Sequence, residues 1–282
     1  MAQHISRRDF IAGALWMGVA GAAPRLQASL PVAGLDHVNI RVPDVRRSAE
    51  FYINLFGVQV ARAPNAKAQT ANPASPSGEL WFIRLGEAFL AVSPTGAQLK
   101  SGIDHFCFAI TEFNGDKVKP QLAGLNQQWP DSPSNNLWLK DPAGHVIQLS
   151  AAADSSRVPG SGVGAVLVEP PAGAQRQPAF QATRITQLTL PVPKLEPSAN
   201  YYRKLLGDAA ETRQKGRFRV GQSDFVLGPA SAVESFRVGV VGFDPSVASS
   251  KLKSLGVSAA VARERSAVSF RDPHGIRVEI GG

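Results

Sequence analysis

The sequence predicts an α+β fold built from one unit, a strand, a helix and about three further strands, used four times. Two internal matches and one pattern support this. The stretch GLDHVNIRVPDVRRSAEFYINLFG, Gly34 to Gly57, returns as RITQLTLPVPKLEPSANYYRKLLG, Arg184 to Gly207, at an offset of 150. Six of the fifteen positions from Pro43/Pro193 to Gly57/Gly207 are identical: Pro43, Ser48, Ala49, Tyr52, Leu55 and Gly57. LWLKDPAGHVIQLS, Leu137 to Ser150, returns as VSFRDPHGIRVEIG, Val268 to Gly281, at an offset of 131. Within each copy the apolar period then switches between two and 3.6 residues, the mark of strands alternating with helices.

Each copy opens with a β-branched, alternating strand, Leu35 to Val42 and Ile185 to Val192, that stops at proline. In the helix that follows, Val45, Ala49, Tyr52 and Leu55, or Leu195, Ala199, Tyr202 and Leu205, share one face, and Gly57 or Gly207 is the expected C-cap. GELWFIRL and EAFLAVSP read as the next strands. A second unit opens near Ile103 to Ile110 and ends with the strand HVIQLSA after the turn Asp141 to Gly144, which has Pro second and Gly fourth, a type I pattern.

A length of 282 residues suits two domains, and the 44% apolar share is that of folded chains. The single cysteine excludes an intrachain disulfide framework. The net charge of +8 comes from scattered basic residues without a stripe or recognition motif, so no nucleic-acid partner is expected. The string RQKGRFR, Arg213 to Arg219, reads as a solvated hairpin rather than an anion site. No P-loop, GxGxxG, GxSxG or HExxH motif occurs.

Residues 1–28 read as an address. Arg7 and Arg8 precede the Gly- and Ala-rich apolar run IAGALWMGVAGAA, which is too short to span a bilayer comfortably, and small residues follow at Ala20, Ala22 and Ala28. SRRDFI, Ser6 to Ile11, resembles a twin-arginine export signal. The expectation is a periplasmic or secreted protein with no stable membrane insertion after cleavage. Such export carries folded cargo and so permits cofactor loading before transport.

The DHVNIRVPD opening, the AEFYINLFG helix and the DPAGHVIQL ending, twice in the same order, resemble the vicinal oxygen chelate superfamily, which includes glyoxalase I, extradiol dioxygenases and bleomycin-resistance proteins. The resemblance implies four βαβββ modules paired into two cupped mixed sheets. The expected organisation is an N-terminal domain over 33–151, a Gly/Pro/Ala/Ser-rich connection over 152–182 and a C-terminal domain over 183–282.

In such modules, metal ligands sit on the first and last strands. Carried over, the positions are His37, Ala91, His105 and Gln148 in the first copy and Gln187, Leu227, Ser235 and Glu279 in the second. Both imidazoles fall in the first copy, so the expected metal site is His37, His105 and Gln148, with Fe, Mn, Ni or Zn as the divalent cation. Gln148 stands where the dioxygenase branch has a carboxylate and brings no charge to offset a dication. By alternation Glu87 shares the face of Ala91 and is the candidate for the missing carboxylate or a base. Asp36 and Asp104 are placed by the same rule on the opposite face, as structural partners or solvent-facing groups. Asn39, Arg41, Phe89 and Cys107 are candidate pocket residues. The sites of the second copy, Gln187, Ser235 and Glu279, are expected to be inactive.

Two functional readings stay open at this level. One is a metal-dependent dioxygenase-like enzyme, or a lyase or isomerase, acting on a small oxygen-chelating substrate. The other is a metal-free protein that sequesters a small molecule, as in the bleomycin-resistance branch. The second copy then serves as a scaffold or mediates a homodimer.

Overall fold

A computed structural model describes residues 30–57, 59–63, 79–95, 100–125, 127–128, 136–152, 158–161, 164–171, 177–262 and 266–282. The candidate export signal lies outside them. The first half runs β1 (Val32–Val42), α1 (Val45–Phe56), β2 (Val60–Ala63), β3 (Leu80–Leu85), β4 (Ala88–Pro94), β5 (Gly102–Ile110), α2 (Gly115–Val118), β6 (Gln127–Gln128), β7 (Asn136–Lys140) and β8 (Val146–Ala151). These strands, with β9 (Val166–Val168), form one mixed sheet in the order β6-β7-β8-β5-β1-β4-β3-β2-β9. The second half has β10 (Ala182–Pro191), α3 (Leu195–Leu206), β11 (Arg217–Val220), β12 (Ser223–Gly228), β13 (Ser235–Val240), α4 (Pro245–Ser254), β14 (Ala259–Val261), β15 (Ala267–Arg271) and β16 (Arg277–Gly281). Its sheet runs β11-β12-β10-β13-β16-β15-β14.

The fold is therefore α+β with two mixed sheets, each carrying two strand–helix–strand units. The third unit has two strands after its helix rather than three, because only the short 3₁₀ turn Asp208–Ala210 and a tight loop separate α3 from β11. The connection between the halves is more than a loop: β9 adds an edge strand to the first sheet. Val158 and Ala165 also pack on the apolar patch of Phe82, Phe89 and Ala91. Gly160 permits that approach, since a β-carbon there would stand 2.6 Å from the Phe82 ring.

Helix α1 starts where Asp44 accepts a hydrogen bond from the Arg47 amide at 2.9 Å, satisfying one orphan donor of the first turn. Its buried face includes the predicted Val45, Ala49, Tyr52 and Leu55. Gly57 and Gly207 both cap helix ends, but only Gly207, at φ 87°, needs the left-handed region that favours glycine.

Both helix faces and the inner faces of both sheets share one core. Phe106 of β5 stacks on Phe225 of β12 at 5.4 Å, and Tyr52 lies 6.3 Å from Phe236 of β13. Two buried hydrogen bonds cross between the halves reciprocally. Tyr52 donates to Asp272 at 3.0 Å and Tyr202 donates to Asp141 at 2.9 Å. Each aspartate opens a D-P-x-G turn and also accepts from two amides of that turn, so the turn and the interface hold one another. The repeated Tyr and Asp of the sequence are thus an approximate two-fold clasp.

Candidate metal centre

Strand alternation splits β1 cleanly: Val38, Ile40 and Val42 enter the core, and His37, Asn39 and Arg41 face the other way. On β5, Phe106, Phe108 and Ile110 enter the core, leaving His105 and Cys107 on the outer face; on β8, Ile147 and Leu149 do so, leaving Gln148. β1 pairs antiparallel with β5, and β5 pairs parallel with β8, in a register that sets His37 opposite Cys107 and Cys107 beside Gln148. His105 lies opposite Asn39, one side-chain row along. This diagonal placement brings three side chains over Cys107.

His37 Nε2 lies 3.3 Å from His105 Nε2 and 3.1 Å from Gln148 Oε1. All three residues are buried, at 6%, 3% and 8% exposure. The far nitrogen of each ring is committed: His37 Nδ1 donates to Asp36 at 2.7 Å, and His105 Nδ1 donates to Asp104 at 2.7 Å. A neutral imidazole with its proton on Nδ1 presents a bare lone pair at Nε2. Two such lone pairs and an amide oxygen then face one another with no donor among them, an arrangement that costs about 1–3 kcal/mol per unsatisfied group unless a cation enters. Donors bound to one cation at about 2.0–2.1 Å stand roughly 3.0–3.4 Å apart, so the site's residues fit a single divalent ion.

Burial pulls the His37 pKa below its ordinary value, against the raising effect of Asp36, which keeps the ring neutral and able to coordinate. At Asp104 burial pushes upward, but the hydrogen bond from His105 and the Arg41 guanidinium outweigh it and hold the carboxyl below the usual range. The rings are also fixed from the side: Phe89 stacks on His37 at 4.5 Å, and Trp138 meets His105 edge-on at 4.9 Å.

Three expectations need revision. Glu87 is not at the site. It sits in the turn before β4, its side chain 67% exposed and 3.3 Å from Arg184, because alternation does not extend back through the Gly86–Glu87 turn. Asp36 and Asp104 are structural partners, as expected, but of the imidazoles themselves rather than of groups on the opposite face. The register of β1 against β5 shifts between Leu35 and His37, and each carboxylate reaches its own neighbour's ring. Among the pocket candidates, Phe89 packs on His37, Arg41 is engaged by Asp104, and Asn39 accepts from Ser93 at 2.8 Å. Cys107 lies beneath the cluster, 3.2 Å from the Ser150 hydroxyl, and with Asp36 and His37 forms a second set of ligand atoms within 4.8 Å of one another. Finally, Val226, not Leu227, is the counterpart of Ala91, since Thr189 pairs with Val226 as Asn39 pairs with Ala91. The repeated Asp-His dipeptide was the one signal for the supporting carboxylates; nothing local marked Ser93.

The second half places Gln187, Ser235 and Glu279 at the positions of His37, His105 and Gln148, and Arg237 at that of Cys107. Gln187 accepts from Arg217 at 3.1 Å, and Ser235 is buried. Arg237 bonds Glu279 through two nitrogens at 3.0 and 2.7 Å, and Arg277 lies 3.3 Å away. The only acid of that set is neutralised internally.

Two mixed sheets of this topology define a class of fold, the glyoxalase and extradiol dioxygenase type. The model of the Glyoxalase/Bleomycin resistance protein/Dioxygenase superfamily matches residues 34–149, the half that carries His37 and His105. Similar solved structures include the 2,3-dioxygenase LapB from Pseudomonas sp. KL28 (TM-score 0.58, 13% identity, 90% of this chain and 93% of that one covered). A catechol 2,3-dioxygenase (0.59, 15%, 90% and 88%) and homoprotocatechuate 2,3-dioxygenase from Brevibacterium fuscum (0.57, 15%, 91% and 82%) are also similar. At these identities the likeness concerns the fold. No curated protein sequence matches the chain significantly. Among the described residues no helix is long and apolar enough to cross a membrane.

Proposed function

We propose that the first half is the catalytic half of an exported, metal-dependent enzyme of this superfamily, with His37, His105 and Gln148 as the protein ligands. The observation that carries this reading is that His105 Nε2 and Gln148 Oε1 both lie within 3.3 Å of His37 Nε2 while both Nδ1 atoms are held by carboxylates. A divalent ion there, Fe, Mn, Ni or Zn, would supply Lewis acidity to a substrate that offers two neighbouring oxygens. Asp36 and Asp104 orient the rings and raise their basicity, and Arg41 anchors Asp104. Phe89 and Trp138 exclude water from the ring faces. Oxygenase-type ring cleavage, or a lyase or isomerase reaction, suits an exported protein better than glutathione-dependent chemistry, since a thiol cosubstrate is scarce outside the cytoplasm.

Reconstitution with each of the four metals followed by elemental analysis tests the ligand set. One equivalent per chain, lost in His105→Ala, is expected; a stoichiometry near zero with every metal rules the reading out. Catechols, followed by the absorbance of ring-opened product, are the first substrates to try because the similar structures are catechol-type dioxygenases. Export is tested with Arg7→Lys/Arg8→Lys, which should hold the chain in the cytoplasm.

A second reading rests on Gln148 itself. Turned over, its amide nitrogen would donate to His37 Nε2, and the bowl would be a metal-free binding cup of the sequestering type. Stabilisation of the protein by small aromatic or dicarbonyl compounds, unchanged by chelator, would favour it.

A further inference from the structure

The outer face of the second sheet carries two rows of polar side chains that cross it strand by strand. One row is Arg219, Asp224, Gln187, Arg237, Glu279 and Ser269; the next includes Arg217, Thr189, Ser235, Arg277 and Arg271. The alternate residues, such as Phe218, Phe225, Leu188, Phe236, Val278 and Phe270, lie in the core, so both rows share one side. Five guanidinium groups stand here against two carboxylates.

The donors outnumber the acceptors. Asp224 is shared between Arg217, at 3.6 Å, and Arg219, at 3.0 Å, while Glu279 is taken mainly by Arg237. Arg217 donates to Gln187 through one terminal nitrogen, but its Nε is buried with no hydrogen-bond partner, as is Asp224 Oδ1, which meets Arg219 only as an ion pair. Among the described residues Arg277 has a 3.3 Å contact to Glu279 and lies directly opposite Arg271 across the β15–β16 ladder, where the Arg271 guanidinium donates to the Gly275 carbonyl at 2.5 Å. Like charges directly opposite one another in a sheet are destabilising, and a merely solvated face has no reason to stack them. Sequence reading assigned Arg217 and Arg219 to a solvated hairpin because Arg237, Arg271 and Arg277 reach the same face from strands far along the chain.

We infer that this face binds a small polyanion, a ligand with two or more carboxylate or phosphate groups, held chiefly by Arg217 and Arg277 over a floor formed by the Arg237–Glu279 pair. Planar guanidinium groups grip both anions through paired hydrogen bonds, and a ligand with two anionic ends would span the two arginines and relieve the repulsion between Arg271 and Arg277. The site lies in the half without the converging imidazoles and does not rest on the chemistry proposed for the other half.

Calorimetric titration of the full chain with citrate and with inorganic pyrophosphate, in about 0.15 M salt so that diffuse attraction is screened, tests it. One equivalent of at least one probe should bind, the better probe showing whether carboxylate or phosphate is preferred. Arg217→Gln/Arg277→Gln should weaken binding roughly tenfold or more, about 1.4 kcal/mol, and Arg46→Gln/Arg47→Gln, an equal loss of two charges on the exposed face of α1, should not. On the unmodified protein, the bound probe should slow phenylglyoxal modification of Arg217 and Arg277, mapped by mass spectrometry. Absence of binding by both probes, binding untouched by the double substitution, unprotected arginines, or affinity for long polyanions such as heparin alone would overturn the inference.

Discussion

The two halves place different chemistry on the same register positions. Where the first sheet has Phe89, His37, Cys107, Gln148 and Trp138 across one row, the second has Asp224, Gln187, Arg237, Glu279 and Ser269. Aromatic walls around neutral nitrogen donors have become guanidinium–carboxylate pairs. The exchange teaches that the scaffold constrains only the inner face, where both halves keep apolar residues in one shared core. The outer face is free to carry buried imidazoles in one half and paired arginines and carboxylates in the other, because strand alternation uncouples the two sides.

The largest expected effect breaks the symmetry outright. His37→Ala or His105→Ala should lower metal affinity by roughly 100-fold or more and remove activity, whereas Gln187→Ala and Glu279→Ala should change neither beyond about twofold. Asp36→Asn should cost an intermediate 10- to 100-fold, as loss of an imidazole's supporting carboxylate does. If the second-half variants lose metal instead, the centre has been assigned to the wrong half.

Next, the same Glu/Gln exchange should act oppositely in the two halves. Gln148→Glu adds a charge to the cation position and should tighten divalent binding by on the order of tenfold, since ligand charge sets such affinities. Glu279→Gln strips the partner from Arg237 and should leave metal content alone while lowering stability by about 1–3 kcal/mol. Parallel metal titrations and urea melts of both variants check this.

The clasp should behave alike on both sides. Tyr52→Phe and Tyr202→Phe each remove a donor to a buried carboxylate and should cost roughly 1–3 kcal/mol in chemical denaturation. A cost confined to one tyrosine would show the two-fold likeness to be geometric only.

The smallest effect concerns pH. All three tyrosines are pushed upward, chiefly by burial, with Asp272 raising Tyr52 and Asp141 raising Tyr201 and Tyr202. A phenol whose folded pKa exceeds its unfolded value stabilises the fold fully below about pH 10 and loses that contribution as the pH rises beyond it, at up to about 1.4 kcal/mol per unit for each group. Ultraviolet titration should therefore show no phenolate at pH 10 in the folded protein and a joint rise on unfolding. A titration near 10 in the native state would contradict the buried clasp.

Much of this was legible in the chain. The duplication, the helix faces around Tyr52 and Tyr202, the D-P-x-G turns and the confinement of both imidazoles to one copy are properties of short stretches, where propensity and period act locally. What the sequence could not decide was anything set by pairing between distant strands. Alternation alone made Asp36 and Asp104 structural partners without naming the imidazoles they hold and put Glu87 at the site, because a register shift and a tight turn interrupt a period that counting takes to be continuous. Likewise, five arginines scattered from residue 217 to 277 read as unrelated until the sheet order β11-β12-β10-β13-β16-β15 set them on one face. Local patterns choose which face a residue occupies, but only the non-local hydrogen-bond register, fixed when the sheet closes over its core, decides which residues meet there.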